Sequence, residues 1–266
     1  MRSSLSLFAT VLTAALALTA SRAFADARYV EVPGGPFRSE IAQEDGTGNV
    51  VVAPFRMRTR LVTNAEFLAF VQREPRWRRD RIAPLYAGAG YLSQWAGPQT
   101  PGTQAPAGQP VTRVSWFAAR AFCASEHARL PDWIEWEYAS AADARHRDAR
   151  VDVVRQARIL ATVTAGFSAP TVTGDHEHPN AYGMYGMHTL VGEWVDDYAA
   201  LFVNADSRSP DDAQQLRLCG GAALAFSDRG DYALMMRVAL LSSLAPADSS
   251  NVGFRCVKDS DNGEHS

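Results

Sequence analysis

Cys219 is the residue whose setting reads most like a reactive site. It stands beside Gly220-Gly221, and exposed turn amides next to a thiol lower its pKa toward the nucleophilic, metal-binding thiolate. With one of the six methionines it could hold a soft metal or do redox work. The competing readings are a buried inert thiol, the usual state of free cysteine, and a bridge to Cys256. The second candidate is Asp175-His176-Glu177-His178. Residues two apart in an extended segment face one side, so His176 and His178 could share an ion with Asp175 or with the more distant His188. A solvated polar loop fits the same residues.

The surroundings narrow the chemistry. Arg2, the apolar run Leu5 to Ala20 and Ala23-Phe24-Ala25 read as a secretory leader occupying residues 1–25, which predicts a mature chain beginning near Asp26 in the periplasm or outside the cell. Thr10, Thr13 and Thr19 interrupt the run, which is short for a membrane span, and no later segment is long and apolar enough for one. In an oxidising compartment three cysteines predict one disulfide and one leftover thiol, and spacing alone does not choose among the three pairs. The net charge is −3 and becomes −5 once Arg2 and Arg22 leave with the leader. With no basic stripe, nucleic acid is not expected as a partner. The roughly 240 residues that remain suit one domain.

The elements that must position these residues are short. Tyr29 to Phe37 reads as a strand closed by Pro33-Gly34-Gly35, and Val50 to Met57 as another. Thr63-Asn-Ala-Glu66 is a capping box predicting a helix over Ala65 to Arg73, with Phe67, Leu68 and Val71 on its apolar face. Residues 74–109 are rich in Pro, Gly and Arg but carry Trp77, Tyr86, Tyr91 and Trp95, so a packed irregular segment is expected, with a ligand surface as the alternative. Ser115 caps a predicted helix from Trp116 to His127, and Asp132 with Glu135 caps another from Trp133 to Ala142. Residues 142–175 give no clear placement. The acidic tail, residues 259–266, is expected to fray.

Three stretches resemble the formylglycine-generating-enzyme (sulfatase-modifying factor) family: Pro110-Val-Thr-Arg-Val-Ser-Trp-Phe-Ala-Ala-Arg-Ala-Phe-Cys123 continuing into Arg129-Leu-Pro-Asp-Trp-Ile-Glu-Trp-Glu-Tyr138, Asn180-Ala-Tyr-Gly-Met-Tyr-Gly-Met-His188 with Glu193-Trp194, and Asn251-Val-Gly-Phe-Arg-Cys256. The resemblance implies one α+β domain over residues 26–258 with a C-type-lectin-like fold and much irregular structure. It also implies a Cys123–Cys256 disulfide, leaving Cys219 free. In the oxidase branch two thiolates five residues apart bind Cu(I) after a glycine-rich turn. The matching turn here is Cys219-Gly220-Gly221-Ala222, which puts Ala225 and Gly230 at the thiol positions, and nothing from Gly220 to Arg255 is Cys or His. Copper is therefore not expected at the family site, and sulfatase activation by that route is not expected either. The iron-dependent sulfoxide synthases of the family use histidines from an added helical domain for which this chain has no room.

The family's calcium-holding motif becomes Gly186-Met-His-Thr-Leu-Val-Gly-Glu-Trp194. Glu193 is kept, but Gly186 withdraws an oxygen from an ion that wants six to eight. Arg237 and Arg255 are expected to make buried structural hydrogen bonds, and a second family arginine falls at Leu241. A narrower likeness, carried by Val62 to Val71, Trp77-Arg-Arg-Asp-Arg81, Val195-Asp-Asp197, Cys219 to Ala222 and Met236 to Leu244, is to an exported branch often encoded beside copper nitrite reductase. That branch usually has Trp where this chain has Gly192. The resemblance as a whole implies a periplasmic, non-catalytic or divergent accessory or maturation factor for an exported enzyme, a copper enzyme being one candidate, with denitrification as the setting. The alternative is a periplasmic oxidoreductase acting on a small molecule or protein side chain through an unidentified metal. Oligomeric state stays open.

Overall fold

The computed structural model describes residues 28–41, 47–164, 178–188, 191–199, 231–248 and 251–260. The expected leader (residues 1–25), Asp175, His176, Cys219, Ala225 and Gly230 lie outside them. Strands β1 (Tyr29–Val32) and β2 (Gly35–Arg38) are separated by the Pro33-Gly34 turn. Gly34 has φ +66, and a Cβ there would lie 2.3 Å from the Val52 carbonyl oxygen, so the turn admits only glycine. The single strand expected over Val50 to Met57 is two, β3 (Asn49–Val52) and β4 (Phe55–Arg58). Pro54, lacking an N–H, falls at the break, and the two halves join different sheets. β3 pairs antiparallel with β2, while β4 is the centre of a three-stranded antiparallel sheet flanked by β1 and by the C-terminal strand, β7 (Val257–Asp259). Asp259, expected in the polar tail, ends that strand and meets Arg129 at 2.7 Å.

Helix α1 (Asn64–Arg73) starts at the Thr63/Glu66 capping box with both reciprocal bonds made, and buries Phe67, Phe70 and Val71. Helix α2 (Trp116–Ser125) is capped by Ser115 and stops two residues before His127, whose left-handed φ of 53 turns the chain back. Helix α3 (Trp133–Ser140) opens on the Asp132/Glu135 box, with Arg129 gripping Glu135 through two nitrogens, both at 2.7 Å. Helix α4 (Val153–Thr164) occupies the stretch that sequence left unplaced; the Asp152 carboxylate accepts from the Val154 and Arg155 amides at its start. It packs on α5 (Tyr232–Ser242).

Residues 74–109 are irregular but fastened. Trp95 donates its indole N–H to Asn64 at 2.9 Å, and Arg79 donates to the Leu92 and Trp95 carbonyls. Tyr91 and Trp95 are buried, while Tyr86 is exposed. The core gathers Phe67, Phe70, Phe122 and Phe254 in mutual ring contact between α1, α2 and the C-terminal segment. Beside it the Cys123–Cys256 disulfide is formed, S–S 2.01 Å. No helix among the described residues is long and apolar enough to cross a membrane.

Candidate functional site

Two short strands build the centre of the site. β5 (Gly192–Glu193) runs parallel to β6 (Val252–Gly253), pairing Glu193 with Gly253 two residues before Arg255. Close approach is needed here: a Cβ on Gly253 would stand 2.8 Å from the Val111 carbonyl oxygen. The register lays the Arg255 guanidinium against the Glu193 carboxylate with contacts of 2.6 and 3.0 Å. Neither side chain reaches solvent. Arg255 also donates to the Tyr185 and Thr59 carbonyls, anchoring the 180–188 segment and the end of β4. The structural role expected of Arg255 is what the geometry displays.

This pairing bears on calcium. Both Glu193 oxygens are engaged by Arg255, and the Arg237 guanidinium is close enough to interact with Glu193 as well. A hard divalent ion would have to displace one guanidinium and sit against another, so the residues present do not fit a calcium ion at Glu193. Among the described residues no cluster of three or more His, Cys, Asp and Glu is arranged to hold a metal. His178 is exposed, and its proposed co-ligands Asp175 and His176 lie outside the described residues.

Around the pair the walls are aromatic and cationic. Trp133 and Trp136 stack at 5.3 Å, and the Arg237 guanidinium lies 5.2 Å from the Trp136 ring centroid. Burial pulls the Arg237 pKa down to about 10, against the attraction of Glu193. On the other edge of Trp136 sits His188, partly buried. Its Nε2 is 2.8 Å from the Ser140 carbonyl oxygen and 2.9 Å from Arg155 Nη2, and its Nδ1 has no hydrogen-bond partner among the described residues. Burial first, then Arg155 and Arg237, push the His188 pKa well below its usual value, so the imidazole is neutral. His188 thus packs behind Trp136, held by Arg155 and the Ser140 carbonyl.

Between these groups is a cavity of about 10 Å³ lined by Trp133, Trp136, Gly192, Glu193, Arg237 and Leu241. That is room for one water, not an organic substrate. Gly192 and Leu241 contribute no polar side-chain atom to the cavity.

Sequence reasoning did not single out Glu137, in the second turn of α3. It is fully enclosed and accepts from Ser39 Oγ at 2.6 Å, the Glu40 amide at 2.7 Å and Trp133 Nε1 at 2.9 Å. Burial lifts its carboxyl to about 7, against those bonds and the pull of Arg150. Asp197 accepts from the Trp133 amide at the start of α3, and burial raises it to about 6. Glu137 and Asp197 both fasten structure around the start of α3.

The sulfatase-modifying factor enzyme 1-like domain matches residues 15–260 of this chain. The formylglycine-generating enzyme of Streptomyces coelicolor is 28% identical, over 87% of this chain and 89% of its own length. The inactive C-alpha-formylglycine-generating enzyme 2 of Bos taurus is 26% identical, over 86% of this chain and 87% of its own. Among solved structures, PvdO from Pseudomonas aeruginosa superposes with a TM-score of 0.49 at 17% identity, covering 87% of this chain and 94% of that one.

Proposed function

From a chain that belongs to the sulfatase-modifying factor family and has its α+β fold, yet holds no pair of free thiols, we propose an exported accessory or maturation factor, not a formylglycine-generating oxidase. The observation that carries the reading is a thiol count. Of three cysteines, Cys123 and Cys256 are bonded to each other. At most Cys219 is left, and a two-thiolate Cu(I) centre needs two. A relative named as inactive, matching along most of this chain, supports the idea that the scaffold outlives the chemistry. The leader-like residues 1–25 and the disulfide together favour an oxidising compartment, the periplasm or outside the cell. The partner in this reading is an exported enzyme, a copper enzyme such as nitrite reductase being the one that the narrower sequence likeness suggests, with denitrification as the setting.

The test is elemental analysis and thiol titration on protein purified from periplasm, with a sulfatase-motif peptide offered as substrate. The expected result is one free thiol, no stoichiometric transition metal and no aldehyde formation. About one copper per chain that disappears in Cys219→Ala would overturn the reading and point to an oxidase with a rebuilt soft-metal site.

A further inference from the structure

We propose that the cleft between the end of β4 and the start of α1 is a binding site for small oxyanions, carboxylate or phosphate. The cleft measures about 180 Å³ and is lined by Arg28, Arg58, Thr59, Arg60, Thr63 and Glu66. Its three arginines are committed to different degrees. Arg58 is buried and gives one nitrogen to Glu66 at 2.5 Å and another to Glu126 at 2.8 Å, while its Nε has no hydrogen-bond partner among the described residues. Arg28 is half-exposed and gives one nitrogen to Glu66 at 2.6 Å. Arg60 is exposed and makes no ion pair among the described residues.

Arg60 is nonetheless held in place. Its guanidinium carbon sits 3.6 Å from the centroid of the Tyr185 ring. Stacking of this kind occupies the face of a guanidinium and leaves the N–H edge directed outward, which is the geometry that takes a planar or tetrahedral oxyanion through two parallel hydrogen bonds. Holding the side chain in advance also lowers the entropy lost on binding.

The one carboxylate in the wall does not cancel this. Glu66 Oε1 accepts from Arg28 and Arg58, and Oε2 accepts from the Thr63 amide and hydroxyl. With its oxygens fully occupied it is a fixture of the wall, and the lining keeps an excess of two positive charges on a chain whose net charge is −3. Counting Glu126 behind Arg58 leaves an excess of one. The Thr59 carbonyl, at the floor, accepts from the Tyr185 amide at 2.8 Å and from Arg255 at 3.4 Å. The cleft is therefore one peptide away from the Glu193–Arg255 pair but separate from the cavity beside it. The proposal stands independently of the accessory-factor reading.

Calorimetric titration of the full mature chain at about 0.1 M salt tests it, using inorganic phosphate, succinate and a tetraglutamate peptide as separate probes; that ionic strength screens contacts beyond about 10 Å. One saturable site is expected for at least one probe. Arg60→Gln should weaken it about tenfold or more, and Arg60→Lys should recover only part, since it restores charge without the planar fork. Arg76→Gln, at an exposed arginine outside the cleft, should leave it unchanged. Binding of phosphate or succinate identifies a free small anion as the occupant, and binding of the peptide alone identifies acidic side chains of a partner. Absence of saturable binding with all three probes, or equal weakening by Arg60→Gln and Arg76→Gln, overturns the proposal.

Discussion

Breaking the Cys123–Cys256 bridge should remove much of the stability of this domain. The bridge joins residues 133 apart and both cysteines are completely buried. Closing a loop of that size withdraws about 17 cal/mol/K of entropy from the unfolded chain, which at 25 °C stabilises the fold by about 5 kcal/mol. Domains of this kind have total stabilities of about 5–15 kcal/mol, so the reduced protein should be near the edge of folding. The perturbation is the double variant Cys123→Ala, Cys256→Ala, run beside wild type with and without a thiol reductant. Urea unfolding followed by fluorescence of the six tryptophans gives the stability of each form. A loss of about 3–5 kcal/mol is expected in both the variant and the reduced wild type. Thiol titration in denaturant should count one thiol before reduction and three after. A stability change below about 1 kcal/mol, well under the usual range for a native bridge, or three thiols before reduction, would refute the reasoning and with it the thiol count on which the functional reading stands.

Other outcomes follow from buried charge. The folded chain holds the Glu137 proton more tightly than an unfolded glutamate does, with a pKa of about 7 against 4.5. This carboxyl's contribution is therefore whole below about pH 4.5 and is lost as the pH rises through 7. Glu137→Gln should match wild type near pH 4.5 and exceed it at pH 8 by up to about 3 kcal/mol; parallel stability curves for the two proteins across that range would count against it. Glu193→Ala leaves the Arg255 charge buried without its partner and should cost about 3–5 kcal/mol in urea unfolding. Calcium added to wild type should leave the unfolding midpoint where it was, because Arg255 already occupies both Glu193 oxygens; a calcium-dependent rise abolished by Glu193→Gln would contradict that.

Features set within three or four residues were readable in advance. Thr63 with Glu66 and Asp132 with Glu135 predict both capping boxes, because the donors and acceptors involved are near neighbours in the chain. The start of α4 was equally local, an Asp152 side chain on two amides, but Val151, Val153 and Val154 are exposed and blur the apolar pattern that marks a helix. The single strand expected over Val50 to Met57 failed at Pro54, where two sheets compete for one extended segment. The candidate site was legible in its residue types and not in its pairings. Glu193 reads as a calcium ligand until Arg255, 62 residues away, is found on both of its oxygens. His188 reads only as a distant partner for His176 and His178, and its contacts with Arg155 and the Ser140 carbonyl could not be read from the sequence. Such contacts depend on which elements stack, and single-residue chemistry carries no record of that.

The order of strands in the main sheet has a consequence for how the chain reaches its native state. β4 lies between β1, which precedes it closely, and β7, which is made about two hundred residues later, with Phe55 opposite Asp259. A ribosome or export channel releasing the chain from its N-terminus would deliver the central strand long before one of its neighbours. Until then that strand's outer edge, and Cys123 with it, must wait exposed. Contacts of such sequence separation form slowly, and an open edge strand is a template for wrong pairing. The last residues of the domain therefore act as its fastener: the zip of β7 onto β4 and the closing of the bridge come together, and a chain interrupted shortly before Cys256 would lose both in one stroke.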